Sequence, residues 1–133
     1  MTKLVFRLLA ICYTAGIFLF ADSPVVADLA PFNPESLLHI PLYGILTLLL
    51  VFSVLPYSTR STDSTHSTHS TYSTGFIIAG LIAVVVAVAD EVHQVYVPGR
   101  NSSIYDVLLD VVGIVLCLFI IWRFKSRCSS VTQ

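Results

Sequence analysis

From Gly75 to Ala89 every side chain is apolar or small, and the next two residues are Asp90 and Glu91. At 1.5 Å per helical residue such a run covers about 22 Å, short of the roughly 30 Å of hydrocarbon in a bilayer. To cross, the helix has to continue through Asp90, Glu91 and Gln94. The last apolar run, Val111 to Trp122, covers about 18 Å. It has to begin near Ile104, which takes in Asp106 and Asp110. Length alone therefore draws four carboxylates to the membrane edge or into it. Ionisable groups there are costly and usually have a partner and a task.

Two earlier runs, Leu4 to Ala21 and Leu37 to Leu55, are long enough to cross unaided. The chain has 133 residues, 56% of them hydrophobic and 11% charged, whereas a soluble domain carries about 25% charged residues. The predicted fold is all-α, a polytopic membrane protein built as a four-transmembrane-helix bundle. A single domain covers 1–133, with spans at about 4–21, 37–55, 75–95 and 104–122. The formal net charge of −1 comes with no basic stripe, so no nucleic-acid partner is expected. Cys12, Cys117 and Cys128 are far apart and form neither a disulfide framework nor a zinc motif.

Basic residues set the expected orientation. Lys3 and Arg7 flank the first run, Arg60 lies between the second and third, and Arg123, Lys125 and Arg127 follow the fourth. Only Arg100 falls on the other side. The positive-inside rule then puts both termini in the cytoplasm, with segments 22–36 and 95–103 outside. Trp122 and Tyr57 suit the inner interface, Tyr96 and Tyr105 the outer one. The start of the chain also resembles a secretory signal, with Val25-Val26-Ala27 as a small-residue cleavage site, but its apolar run is longer than most signal cores and favours a retained helix. Residues 58–74 are a low-complexity Ser/Thr/His stretch, expected to be a cytoplasmic loop. His66 and His69 would share a face only if it were helical.

The polar positions of the outer side fall into register. Asp90 and Gln94 are four apart and share a face, with Glu91 about 100° away. Pro98-Gly99-Arg100-Asn101 reads as a turn. Ser103 and Asp106 have capping-box spacing. Asp106, Asp110 and Gly113 recur on one face, which a tight outer loop would set against the Asp90/Gln94 face of the preceding helix, with Gly113 letting those two backbones approach closely one turn deeper. His39 and Tyr43 are also four apart, near the start of the second run, with Pro41 between them. A compact bundle would gather His39, Tyr43, Asp90, Glu91, Gln94, Arg100, Asp106 and Asp110 into one pocket. Each has a plainer reading: Asp106 as a helix cap, Asp110 as an interhelical hydrogen-bond partner, Arg100 as a headgroup-level counterion, His39 and His93 as interfacial histidines. No metal or cofactor is assigned. Asp90, Glu91, His93 and His39 are potential ligands, but their spacing is not diagnostic.

Asp90-Glu91-x-x-Gln94, then Pro98-Gly99-Arg100, Ser103, Asp106 and Gly113, preceded by His39-x-x-x-Tyr43 and a Leu-rich continuation, closely resembles the signature of the VanZ-like membrane protein family. The resemblance covers about 37–55 and 75–122. It implies a small polytopic bundle in the inner (cytoplasmic) membrane of a bacterial envelope, in a family named for a protein that gives low-level resistance to teicoplanin. Two features depart from it: Asp110 stands where the family often has Asn, and the Ser/Thr/His repeat is not a family feature.

Three functions compete. The first is binding or remodelling of envelope lipid or cell-wall components at the outer leaflet, with Arg100 on phosphate. Its partners are membrane lipids, a lipid-linked cell-wall precursor and a second copy of the chain. The second is a membrane-embedded hydrolase or transferase with Glu91 or Asp90 as base and His39 assisting. No nucleophile elbow, HExxH or phosphate-binding glycine loop supports it, so the chain reads as a binding protein more than an enzyme. The third is a cation- or proton-coupled carrier, which the absence of midplane charges disfavours.

Overall fold

A computed structural model describes residues 2–21, 23, 37–54, 68–97 and 103–130; side chains at 68–73 and 126–130 are outside that description. Among the described residues the chain forms four α-helices and no strand: α1 (Thr2–Phe20), α2 (His39–Val54), α3 (Thr68–Gln94) and α4 (Ile104–Ser130). The signal-like Val25–Ala27, the turn at 98–101, Arg100, Arg60 and Tyr57 lie outside the described residues, as does the repeat before residue 68.

Helices α1, α3 and α4 are each long and apolar enough to cross a membrane. Large apolar side chains stand exposed along them, among them Leu4, Leu8, Ile77, Leu81, Val85, Val115 and Phe119. A soluble surface does not tolerate patches of that extent; a lipid-facing one requires them. Four full-length spans were expected, and α2 is the exception. Its 16 described residues reach about 24 Å, because Leu37 and Leu38 form a turn ahead of it. Helix α2 is the central element, packed on α1, α3 and α4, so protein covers much of its surface. It buries Tyr43, Leu46, Thr47, Leu50, Val51 and Ser53. Its aliphatic hydroxyls are satisfied within the helix, Thr47 Oγ1 donating to the Tyr43 carbonyl at 2.7 Å and Ser53 Oγ to that of Leu50 at 2.7 Å.

Pairwise contacts fix the directions. Phe6 stacks near Phe52, with ring centroids 5.1 Å apart, and Tyr13 Oη donates to the Leu42 carbonyl at 3.1 Å, so α1 and α2 are antiparallel. Tyr43 meets Asp90 and Ser103 meets Glu91, which makes α3 antiparallel to both α2 and α4. On α3 a stripe of fully buried alanines, Ala79, Ala83 and Ala87, lets neighbouring backbones come close.

Two boundaries differ from expectation. Residues 68–74, expected in the loop, form the first two turns of α3. An established helix gains a hydrogen bond for each residue it adds, so it propagates into a Ser/Thr stretch that would not nucleate one. For the same reason α4 runs past Trp122 to Ser130.

Candidate functional site

The start of α2, the end of α3 and the start of α4 meet at one end of the bundle. The basic residues Lys3 and Arg7 begin α1, and Arg123 and Lys125 lie toward the end of α4, all at the opposite end. Helices α2 and α4 form the most extensive contact in the molecule. Gly113 is its pivot. A Cβ placed there would run into the Ile40 carbonyl, while one at Gly44 would lie an ordinary 3.7 Å from the Gly113 oxygen. The sequence suggests a close backbone approach at Gly113; the structure gives it to α2, where an α3 partner was expected. The first turn of α2 therefore lies level with a point about two and a half turns into α4. His39 reaches back toward the α4 start because side chains lean toward a helix's N-terminus.

Seven of the eight candidate residues lie at this end, in two groups; the eighth, Arg100, is outside the described residues. Tyr43 Oη donates to Asp90 Oδ2 at 3.3 Å, and Gln94 Nε2 donates to the same oxygen at 3.1 Å. The shared face of Asp90 and Gln94 is thus used as the spacing predicts. Asp110 is fully buried within electrostatic reach of Asp90, Glu91 and Asp106. Neither of its oxygens meets a hydrogen-bond donor among the described residues. Tyr43, also fully buried, lies within reach of Asp110 as well.

The second group is His39, Glu91 and Asp106. One side-chain ligand atom from each lies within 4.8 Å of the other two. Glu91 and Asp106 are buried, and His39 is half-buried. Glu91 turns away from Asp90, as a neighbouring helical position must, and its Oε2 accepts the Ser103 backbone N–H at 2.9 Å.

That last contact corrects the expected capping box. Ser103 does cap α4, its Oγ accepting the Tyr105 N–H at 3.2 Å. In a capping box the Asp106 carboxylate would reach back to the Ser103 N–H. Glu91, on another helix, holds that N–H, and Asp106 is left facing His39 and Glu91. Sequence spacing carries no signal for this, since the donor is a backbone amide and the acceptor lies twelve residues away. His93 lies outside this group. It packs edge-on against Phe18 of α1, centroids 5.4 Å apart, and is half-buried where an interfacial side chain was expected. Tyr96 and Tyr105 are exposed beside the site, as an interfacial aromatic belt requires.

The arrangement concentrates carboxylate oxygens from α3 and α4 around one imidazole and one phenol from α2. It can hold a cation, or a ligand rich in hydroxyl and amino donors. A family model described as VanZ/LLP1 matches residues 6–125, a span that includes every site residue. No curated protein and no solved structure matches the chain.

Proposed function

The chain belongs to the VanZ/LLP1 family, and from that premise we propose that it acts at the outer leaflet of the cytoplasmic membrane, binding envelope lipid or a lipid-linked cell-wall precursor through the polar end of the bundle. The observation that carries this reading is the convergence of Asp90, Glu91, Asp106 and Asp110, all buried, at the end of the bundle away from Lys3, Arg7, Arg123 and Lys125. Basic residues favour the cytoplasmic face. The acidic end then faces outward, both termini lie inside, and α2 completes an even number of crossings within the cover of its neighbours. Arg100, beside the site in sequence, supplies a phosphate contact, and the carboxylates take hydroxyl or amino groups. Lipid and a second copy of the chain are the natural cover for the exposed apolar faces.

The test is susceptibility to teicoplanin and other envelope-targeting agents. Wild type, Glu91→Gln and Arg100→Ala are expressed in a glycopeptide-susceptible bacterium at matched membrane levels. Wild type is expected to shift susceptibility and the two variants are not. Equal accumulation with no shift from wild type removes the envelope-resistance role. A periplasm-active reporter fused after Gln133 is expected to stay silent; activity there overturns the orientation.

A further inference from the structure

We propose that His39, Glu91 and Asp106 form a binding site for one divalent transition-metal ion of the Zn²⁺ class. The inference stands apart from the outer-leaflet reading and does not depend on the susceptibility result. Three observations carry it. The ligand atoms come from three different helices yet lie within 4.8 Å of one another. Zinc bonds of about 2.0–2.2 Å place tetrahedral ligand atoms about 3.4 Å apart, so closing the set asks for movements of about an ångström.

Glu91 supplies the second observation. It is 7% exposed, its Oε2 is engaged by Ser103, and its Oε1 is buried with no hydrogen-bond partner among the described residues. The backbone bond orients the carboxylate and leaves one oxygen for an ion, the arrangement that outer-shell hydrogen bonds give to metal ligands. Asp106 is the third. The residue that ought to close a capping box is released from it by Glu91 and turned toward His39.

Charge argues for an ion over an ion pair. Four carboxyls crowd this end of the bundle, and one proton on His39 would offset a single negative charge. A divalent ion offsets two, where burial makes uncompensated charge costly. One imidazole and two carboxylates suit Zn²⁺ with three protein ligands and an open position for an exogenous group.

The experiment is Zn²⁺ titration and metal analysis of the purified full-length protein in detergent. His66 and His69 are competing ligands, so the double variant H66A/H69A runs beside wild type. Both are expected to retain about one Zn²⁺ per chain. His39→Gln and Glu91→Gln, made on the H66A/H69A chain, are expected to lose it or to bind about tenfold more weakly or worse. Should those variants fail to fold, Co²⁺ loaded into H66A/H69A decides. A four-coordinate nitrogen and oxygen ligand field supports the site, and an aquo-ion spectrum overturns it. The proposal also falls if wild type binds no Zn²⁺, if H66A/H69A abolishes binding, or if folded His39→Gln and Glu91→Gln keep full stoichiometry.

Discussion

The Tyr43 group and the His39 group hold similar carboxylates within a few residues of each other and compensate them differently. Around Asp90, neutral donors do the work, a phenol from α2 and an amide from α3 on one oxygen. Around Glu91 the donor is a backbone N–H at the start of α4, and an imidazole and a second carboxylate face it. Position along the helices explains the contrast. A helix start exposes unpaired N–H groups, and Glu91 lies opposite one. Asp90 meets helix interiors, whose backbone donors are already used, so side chains have to serve. Asp110 lies in that interior region and meets no donor among the described residues. One group thus leans on a backbone donor at a helix start and the other on side chains alone, and the two are joined where α2 crosses α4.

The largest effect is expected at that crossing. Gly113→Ala puts a methyl into the Ile40 backbone, which has no flexible end to yield. Parting α2 from α4 loosens both groups together, at a cost of about 3 kcal/mol. Gly44→Ala meets only an ordinary contact and is expected to be nearly neutral. Denaturant titration of the two proteins in detergent checks this; equal losses would mean that the crossing does not depend on Gly113.

Next in size is Asp110→Asn, which probes the group that relies on side-chain donors. It replaces a buried carboxyl that meets no donor among the described residues with an amide, and supplies two N–H donors beside Asp90. Stability is expected to rise by about 1–2 kcal/mol. Asp106→Asn is expected to bring no such gain, because Asp106 already faces His39. A destabilised Asp110→Asn would show that the carboxyl itself has a partner at this site. Tyr43→Phe is milder, at about 1 kcal/mol, since Gln94 still donates to Asp90; a loss several times larger would mark Tyr43 as the main support of Asp90.

These expectations depend on pairings that the sequence shows unequally. Helix faces were partly legible: the four-residue spacing placed Asp90 with Gln94 and the apolar runs placed the helices, whereas His39 and Tyr43, also four apart, divide between the two groups. Periodicity within one helix reports which residues share a face and nothing about which neighbour that face meets. So Gly113 was read as a close-approach point with its partner helix misassigned, and His93, read as an interfacial histidine, turns to Phe18. Asp106 is the most instructive. Ser103-x-x-Asp106 satisfies the local pattern of a capping box, and a residue on another helix outcompetes it. The first turns of α3 went unread for a related reason. Thr68 to Thr74 have no apolar period of their own and are helical by continuity with Gly75 onward.

The smallest predicted effect bears on that competition. Ser103→Ala removes the hydroxyl that accepts the Tyr105 N–H and keeps the backbone N–H that Glu91 accepts. Because the Tyr105 bond is solvent-exposed, water replaces much of it, and the loss is expected near the low end for a helix cap, about 0.5 kcal/mol. Glu91→Gln keeps a carbonyl oxygen for the Ser103 N–H and removes the charge. Glu91→Ala removes both and leaves the amide without its acceptor. If Glu91 is the true cap of α4, Glu91→Ala costs clearly more than Ser103→Ala, with Glu91→Gln between them. If Ser103→Ala costs as much as Glu91→Ala, the helix is capped locally after all, and the release of Asp106 needs another cause. Amide exchange at Ser103 and Tyr105 separates the cases, because each variant exposes a different N–H.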